Sequence, residues 1–310
     1  MSEAAVPFPA PQGPPPRTAH RWQADAALVV AAFFFGTTFL VVQDALDEAD
    51  PVPFLAVRFL IAGAVLGILG RRRTASPREL RHGVAAGIAL LVAYVLQTIG
   101  LQYTNQSTSA FITYLLVVLV PLLSFVALGR RPHPLTLVGL VPAVAGLGLL
   151  TGGAGVTFGR GEALTLGCAF AFAAHMVVLG ETAARHDAIR LTCVQVTTVG
   201  LACLVASPFT GGLAMPAAAF GAAAFTGVFA TALAFFAMVW AQGIVSPTRA
   251  ALILLLEPVF AAVVARATGE SLPATAALGG ALILVGVVVS EVVPPLVEAR
   301  RESRRGAGTY

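Results

Sequence analysis

Ten long apolar runs, separated by short polar breaks, make up most of the chain. Each run is close to the ~20 residues that a helix needs to cross a hydrocarbon core about 30 Å thick. Backbone groups without hydrogen bonds are too costly in hydrocarbon, so each run is predicted to be a helix. The predicted spans are residues 24–44, 51–70, 82–101, 107–128, 134–151, 161–181, 190–208, 217–240, 247–266 and 274–291.

The composition supports an all-α polytopic membrane protein. Hydrophobic residues make up 57% of the chain and charged residues 11%, with a mean hydropathy of +0.86. Ordinary soluble domains carry about 25% charged residues. The net charge is +4, but the basic residues lie in the breaks between apolar runs and form no stripe with aromatics. Nucleic-acid binding is therefore excluded, and the lipid bilayer is the expected partner.

The arginines also predict the orientation. The break after span 2, "RRRTASPRELR", holds five arginines. Further arginines lie in the breaks after spans 4 and 6 and in the C-terminal tail. The alternate breaks are poor in basic residues, and the first of them, "DALDEADP", is acidic. Because basic loops stay in the cytoplasm, both termini are predicted to be cytoplasmic, in a multi-pass protein of the inner cell membrane.

The two ends and the cysteines predict no further functional site. Residues 1–23 are proline-rich, lack the pattern of a cleavable signal peptide and are predicted to be a disordered tail, and residues 293–310 form an arginine-rich tail. The three cysteines lie inside apolar runs, with no spacing for a disulfide framework or a metal site. We expect neither a metal nor a cofactor.

The second half of the chain repeats the first. A shift of 137 residues places "FFFGTTFLVVQDAL" over "FAFAAHMVVLGETA" and Pro121 over Pro258. Farther along, Gly139 and Gly146 of span 5 correspond, with the same spacing, to Gly279 and Gly286 of span 10. The predicted repeats are residues 24–152 and 161–292. With five spans in each half, the second repeat is inverted, and such repeats place a binding site near the midplane of the membrane.

These segments, with "TNQSTSAFITYLLVVLVPLLSFV" and "SPTRAALILLLEPVFAAVVARATGE", resemble the EamA family of the drug/metabolite transporter superfamily over residues 24–292. The resemblance rests on a glycine in the first helix, an Arg-Phe pair in the second, and a proline in the fourth and the ninth. It implies two inverted five-helix repeats around a central cavity lined mainly by spans 1, 3, 4, 6, 8 and 9. It also implies movement of small organic molecules across the membrane.

Glu257 is the main candidate for chemistry, because it lies about ten residues into span 9 and so near the midplane. A charge at that depth costs about 2.5–3.5 kcal/mol on insertion scales. A carboxyl that gains and loses a proton during the cycle can couple proton movement to substrate movement. The alternative is a protonated side chain that hydrogen-bonds a neighbouring helix as packing.

Two prolines are predicted to bend the helices that line the cavity. Pro258 deprives the carbonyl of Leu254 of its helical donor, and Pro121 does the same to Val117 in the matching span. The residue before Pro121 is a valine, so the break is shared between the halves while the acidic residue is not.

Arg58 lies seven residues past the start of span 2, and two interpretations remain open. Its long side chain can extend outward to the acidic "DEAD" loop, or it can pair with a polar group or an anionic substrate inside the protein. Further candidates for the cavity are Tyr94 and Gln97, which share a face of span 3, together with Tyr114 in span 4 and His175 in span 6. Each of these four can equally serve helix–helix hydrogen bonding.

The sequence favours a secondary transporter that exports or exchanges small metabolites, drugs or amino-acid-like compounds by alternating access. No nucleotide-binding loop is present, so ATP is not the expected energy source. Proton antiport through Glu257 is the hypothesis for the coupling mechanism. The alternatives are a channel, which predicts rings of polar residues, and an intramembrane enzyme acting on lipid or peptide, which predicts a nucleophile–base pair at depth. Substrate identity and oligomeric state are not encoded in any recognisable pattern.

Overall fold

The computed structural model describes residues 18–46, 48–71, 75–104, 106–152, 158–210, 212–269, 273–291 and 293. Over these residues the fold is all-helical. The helices are α1 (Thr18–Leu46), α2 (Pro51–Gly70), α3 (Pro77–Leu101), α4 (Gln106–Tyr114), α5 (Leu116–Leu128), α6 (Pro134–Thr151), α7 (Arg160–Thr182), α8 (Ala188–Ala206), α9 (Ala217–Thr226), α10 (Ala234–Gln242), α11 (Pro247–Leu254), α12 (Glu257–Ala267) and α13 (Ala274–Glu291).

Eight segments of the described chain are long and apolar enough to cross a membrane. They are Pro51–Gly70, Pro77–Leu101, Ser107–Leu128, Pro134–Thr151, Arg160–Arg185, Ala188–Phe209, Ala217–Gln242 and Pro247–Ala267. Helix α1 precedes them, and the shorter apolar helix Ala274–Ser290 follows them. Each of the ten runs predicted from the sequence thus corresponds to a helix or to consecutive helices, within a multi-pass membrane protein.

The first helix begins earlier than the sequence suggested. Helix α1 starts at Thr18, inside the stretch of residues 1–23 that was expected to be a disordered tail. The physical reason is that the last proline of this stretch is Pro16, and no residue after it breaks a helix. Ala24 is already fully buried against the other helices. Residues 1–17 and most of the C-terminal tail lie outside the described residues.

Two spans are interrupted near their centres. The span of α4 and α5 breaks at Leu115, whose amide donates to the carbonyl of Ile112 in a tight turn. The span of α11 and α12 breaks at Leu255 and Leu256, just before Pro258. The second break lies where a proline was expected to cause it, whereas Pro121 lies inside the continuous helix α5, six residues after the break at Leu115.

A π-helical segment, Gly227–Leu233, joins α9 to α10 within one span. Its wider turn lets the hydroxyl of Thr231 donate to the carbonyl of Thr226, five residues back, at 3.1 Å. Such segments occur often at functional sites, because they redirect side chains. Here the segment packs against α2.

Glycines let α8 pack closely between α2 and α3. A Cβ added at Gly63 of α2 would meet the hydroxyl of Thr197, and one added at Gly87 of α3 would meet the carbonyl of Gln195. Gly200 of α8 in turn lies against the backbone of Leu60. Small residues thus let these helices approach closely, as they usually do in membrane proteins.

Helices α6 and α13 pack along each other through a second set of glycines. Gly139 faces the carbonyl of Gly286, and Gly146 faces the carbonyl of Gly279; each contact is close from both sides. Because the residue numbers rise along one helix as they fall along the other, the two helices are antiparallel. The backbones approach so closely that a methyl group at any of these positions would overlap a carbonyl oxygen.

We predict that Gly146→Ala destabilises the protein, whereas Gly148→Ala does not. A Cβ at position 146 overlaps the carbonyl of Gly279, while a Cβ at position 148 makes an ordinary contact with Phe111 at 3.7 Å. Overpacking of a closely packed contact costs about 1–3 kcal/mol, whereas alanine stabilises a helix relative to glycine by about 1 kcal/mol. Thermal unfolding in detergent measures both, and equal melting temperatures of the two variants would contradict the prediction.

Candidate functional site

One cavity of about 280 Å³ lies at the centre of the described helices. Its lining includes all six side chains that the sequence singled out as candidates for coupling or for the substrate cavity, although they come from five different helices. They are Arg58, Tyr94, Gln97, Tyr114, His175 and Glu257. The volume is near the lower end of the ~300–1,000 Å³ typical of sites for small ligands. Most of the remaining lining is apolar.

Glu257 is the first residue of α12, directly after the break in its span. Its carbonyl is covered by Gly36 of α1, where any Cβ would overlap that oxygen. The close approach fixes the backbone of Glu257, while the side chain is half-buried and lines the cavity. The groups that interact with the carboxyl are the phenol of Tyr114 and the guanidinium of Arg58.

Arg58 points into the protein rather than outward to the acidic loop. Its side chain is only 6% exposed, and its Nε donates to the hydroxyl of Thr231 at 2.8 Å. The π-helical segment places Thr231 at that position, and the guanidinium also lies over the ring of Phe59 at 5.8 Å. Within the part of the chain that the structure describes, Thr231 is its hydrogen-bond partner, so the terminal nitrogens of Arg58 remain available to the cavity.

The positive and the negative group of the cavity do not form an ion pair with each other. Among the described residues, no carboxylate oxygen lies within 4.0 Å of the Arg58 guanidinium, and no basic group lies that close to Glu257. A cavity with two separated opposite charges is electrostatically complementary to a ligand that carries both.

Aromatic rings build the walls between these charges. Tyr94 contacts Phe59 at 5.2 Å and Phe172 at 5.5 Å between ring centroids, both edge to face. Such edge-to-face pairs are favourable beyond the area that they bury. Gln97 lies one helical turn beyond Tyr94 on the same face of α3, and Tyr114 is the last residue of α4, before the break at Leu115. The tyrosines thus present rings and hydroxyls to the same space.

His175 is held by a partner that the sequence did not reveal. Its Nε2 lies 2.7 Å from Oε1 of Gln195, and both side chains are almost completely buried. Gln195 was not among the candidates from the sequence, and the packing of α8 against α3 brings it to His175. The hydrogen bond orients the imidazole at the wall of the cavity.

The cavity extends to one end of the helices. Leu46 at the end of α1, Pro51 at the start of α2, Leu101 at the end of α3 and Ser109 near the start of α4 all contribute to its lining. These four positions lie at the same end of the protein, because the chain connects them in short turns. We call this end the open end, and the end that carries the connection between α2 and α3 the closed end.

Ion pairs join the helices at the closed end. The guanidinium of Arg249 in α11 binds the carboxylate of Asp25 in α1 through two hydrogen bonds, at 2.8 and 2.7 Å. Arg130, just past α5, lies 2.7 Å from Glu181 in α7. A third pair, Glu79 and Arg190 at 3.1 Å, is buried between α3 and α8.

A multi-pass helical membrane protein with a central, one-sided, amphipathic cavity has an architecture that is common among membrane transporters. The sequence assigns the family. It matches the EamA-like transporter family over residues 22–152 and 159–291, and the chain therefore belongs to that family, within the drug/metabolite transporter superfamily. The two matched stretches coincide closely with the two repeats predicted from the sequence.

Relatives and a solved structure agree with this assignment. Two proteins of Archaeoglobus fulgidus, each named an uncharacterized transporter, are 30% identical to this chain. One match covers 87% of this chain and 86% of the relative, and the other covers 86% and 95%. The uncharacterized transporter YvbV of Bacillus subtilis is 28% identical over 59% of this chain and 61% of its own. A crystal structure shares the fold, with a TM-score of 0.77 at 20% identity over 87% of this chain and 98% of that chain.

Proposed function

We propose that this protein is a secondary transporter that exports or exchanges small organic molecules by alternating access. The observation that carries the proposal is the central cavity, which brings six polar or charged side chains from distant parts of the sequence to one place and reaches only one end of the helices. A site that is reached from one side at a time is the requirement of alternating access.

We further propose ten spans in two inverted five-helix repeats, and the glycine contacts support this arrangement. A shift of 140 residues carries the contact of Gly139 with Gly286 onto the contact of Gly279 with Gly146. A shift of 137 residues carries Gly63 with Thr197 onto Gly200 with Leu60. Contacts that map onto themselves indicate a two-fold axis. An axis that reverses the direction of a helix runs across it, and so lies in the plane of the membrane.

The proposed orientation places both termini and the closed end in the cytoplasm of a cell bounded by this inner membrane. The arginine-rich breaks of the sequence all fall at the closed end, and the acidic connection between α1 and α2 falls at the open end. The cavity then faces outward, and export requires a second state in which it faces the cytoplasm.

The proposed substrate carries an anionic group and a cationic group on a small apolar or aromatic body, as amino-acid-like compounds do. The Arg58 guanidinium is the counter-ion for the anionic group, and the Glu257 carboxylate is the counter-ion for the cationic one. A proton and the cationic group compete for that carboxylate, so release of one accompanies binding of the other. This competition is the physical basis that we propose for proton antiport through Glu257.

Two other functions receive less support from the same cavity. A channel needs a continuous path across the membrane, whereas the cavity among the described residues is lined by helix ends at the open end. An intramembrane enzyme needs a nucleophile beside a base, and in the described residues the hydrogen-bond partner of His175 is an amide.

Flux in proteoliposomes tests the proposal. We expect uptake of labelled amino acids or small amphipathic compounds that saturates with concentration and is stimulated by a pH gradient across the membrane. Liposomes without protein are the first control, and Glu48→Gln, which removes an exposed acid that does not line the cavity, is the matched variant. Flux that rises linearly with concentration and ignores the gradient would contradict a secondary transporter and favour a channel.

A further inference from the structure

Two pairs of charged residues occupy corresponding places in the two halves of the chain. Glu181 lies near the end of α7 and corresponds to Asp44 near the end of α1, since 181 − 44 = 137. Arg130 follows the end of α5 and corresponds within one residue to Arg266 in the last turn of α12, since 266 − 130 = 136. Each pair thus consists of one residue on an uninterrupted span and one residue at the end of a span that is interrupted near its centre.

In the structure, the first of these pairs is in contact and the second is not. Arg130 and Glu181 lie at the closed end, 2.7 Å apart. Asp44 and Arg266 lie at the open end, and both are exposed. Across residues 18–46 and 212–269, which contain them, neither has an ion-pair partner.

The packing of α1 nevertheless aligns Asp44 with Arg266. Helix α1 runs parallel to α11 and α12, with Asp25 bound to Arg249 and Gly36 in contact with Ala261. The residue numbers of these two contacts differ by 249 − 25 = 224 and 261 − 36 = 225. The residue numbers of Asp44 and Arg266 differ by 222. The same register would pair residue 44 with residues 268–269, so Arg266 lies within one helical turn of the position opposite Asp44.

We propose that Asp44 and Arg266 form an ion pair that closes the open end in the opposite state of the transport cycle, while Arg130 and Glu181 separate. This inference rests on the proposed alternating access of inverted repeats. In such a transporter each half takes up the arrangement of the other when the cavity changes sides. A contact present at one end in one state is then expected at the corresponding place at the other end in the other state.

A second set of corresponding acids differs from Asp44 and Glu181 in that both of its members are engaged. Asp25 corresponds to Glu162, since 162 − 25 = 137. Both are engaged in this structure, Asp25 by Arg249 and Glu162 by the hydroxyl of Thr104 at 2.5 Å. Both acids of this set are thus engaged in the state that the structure describes. The two halves differ at the pair formed by Asp44 and Arg266, which marks these residues as the moving contact.

The breaks at the centres of the spans allow this movement. The inner halves α5 and α11 pack against each other in this structure, which closes the end that carries Arg130. The break at Leu255 and Leu256 separates α12, with Arg266 at its far end, from α11. Without a continuous helical ladder across the break, α12 can tilt toward α1 while α11 stays in place.

The strength of the pairs suits a contact that breaks in every cycle. Arg130 is 55% and Glu181 28% exposed at the side chain, and exposed ion pairs are weak because water screens them. Loss of such a pair shifts the ratio of the two states by about two- to fivefold. A buried pair at this place would hold the transporter in one state.

Cysteine cross-linking in membrane vesicles tests the proposal without a substrate. Asp44→Cys and Arg266→Cys are introduced into a chain whose native cysteines are replaced, and disulfide formation is followed under mild oxidation, which requires Cβ atoms about 3.5–4.5 Å apart. Addition of Glu181→Gln removes the pair at the closed end. We expect it to raise the rate of disulfide formation by about two- to fivefold.

The control is Arg78→Gln in place of Glu181→Gln; it removes an exposed charge at the closed end that belongs to neither pair, and it should leave the rate unchanged. If Glu181→Gln does not fold, Arg130→Gln removes the same pair from the other side. Absence of the disulfide in every variant, or a rate that neither substitution changes, overturns the proposal. If gradient-driven flux is observed but the disulfide never forms, the proposed contact between Asp44 and Arg266 is refuted and the transport function is not. If the disulfide forms but no flux is observed, the transport function is refuted and the proposed contact is not.

Discussion

Glu257→Gln should abolish transport driven by a pH gradient while exchange of substrate across the membrane continues. Glutamine keeps the size of the side chain and its ability to hydrogen-bond Tyr114, but it cannot take up or release a proton. If protons are coupled only through this carboxyl, the gradient loses its point of entry, and gradient-driven accumulation falls by about tenfold or more, the equivalent of at least 1.4 kcal/mol.

Proteoliposomes preloaded with unlabelled substrate separate the two activities. Exchange is measured with equal pH on both sides, and accumulation is measured with an imposed gradient. The matched control adds Gln97→Glu to the Glu257→Gln variant. This second substitution places an acid elsewhere in the same cavity, and it should not restore coupling. Gradient-driven accumulation at the wild-type level in Glu257→Gln would remove Glu257 from the coupling step and leave it as a packing residue.

Arg58→Gln should raise the substrate concentration needed for half-maximal flux by a factor of about thirty or more. The guanidinium is buried, and truncation of one partner of a buried charge pair costs about 2–5 kcal/mol. Arg58→Lys keeps the charge but not the planar donor geometry, and its effect should be intermediate. Thr231→Val removes the hydrogen bond to Nε but keeps the charge, so a loss of about tenfold is expected from a hydrogen bond that a charged group donates.

The comparison that decides the role of Arg58 uses paired substrates. A compound with a carboxylate and its amide analogue differ in the group that Arg58 is proposed to bind. Arg58→Gln should reduce the preference for the carboxylate and change the flux of the amide little. An equal loss for both compounds would place Arg58 in the scaffold, as a residue that holds α2 against the π-helical segment.

The spans were the most predictable feature of this chain, because each is a long apolar run with a sharp end. Helices Pro51–Gly70 and Pro134–Thr151 have the bounds expected from the sequence, and both begin at a proline. A proline at the start of a helix has no amide to leave unsatisfied, so it marks the boundary. The early start of α1 at Thr18 was missed because polar residues outside the hydrocarbon give no comparable signal.

The breaks within the spans and the contacts around the cavity depend on how the helices pack, which the pattern of apolar residues does not reveal. The break at Leu115 has no proline beside it, and the π-helical segment around Thr231 has no distinctive composition. The hydrogen bond between His175 and Gln195 depends on how far each helix is rotated about its axis, which a pattern of apolar residues determines only coarsely. The polar residues of the cavity were identifiable one by one because they are rare in apolar spans, but their meeting in one cavity required the fold.

The paired glycines of α6 and α13 also limit how the chain can be divided. Each half contributes one face of that contact and receives the other, so neither half can cover its own last helix. We therefore regard the two halves as complementary pieces. Two polypeptides made by cutting the chain between α6 and α7 should find each other in the membrane, whereas either piece alone should seek a second copy of itself.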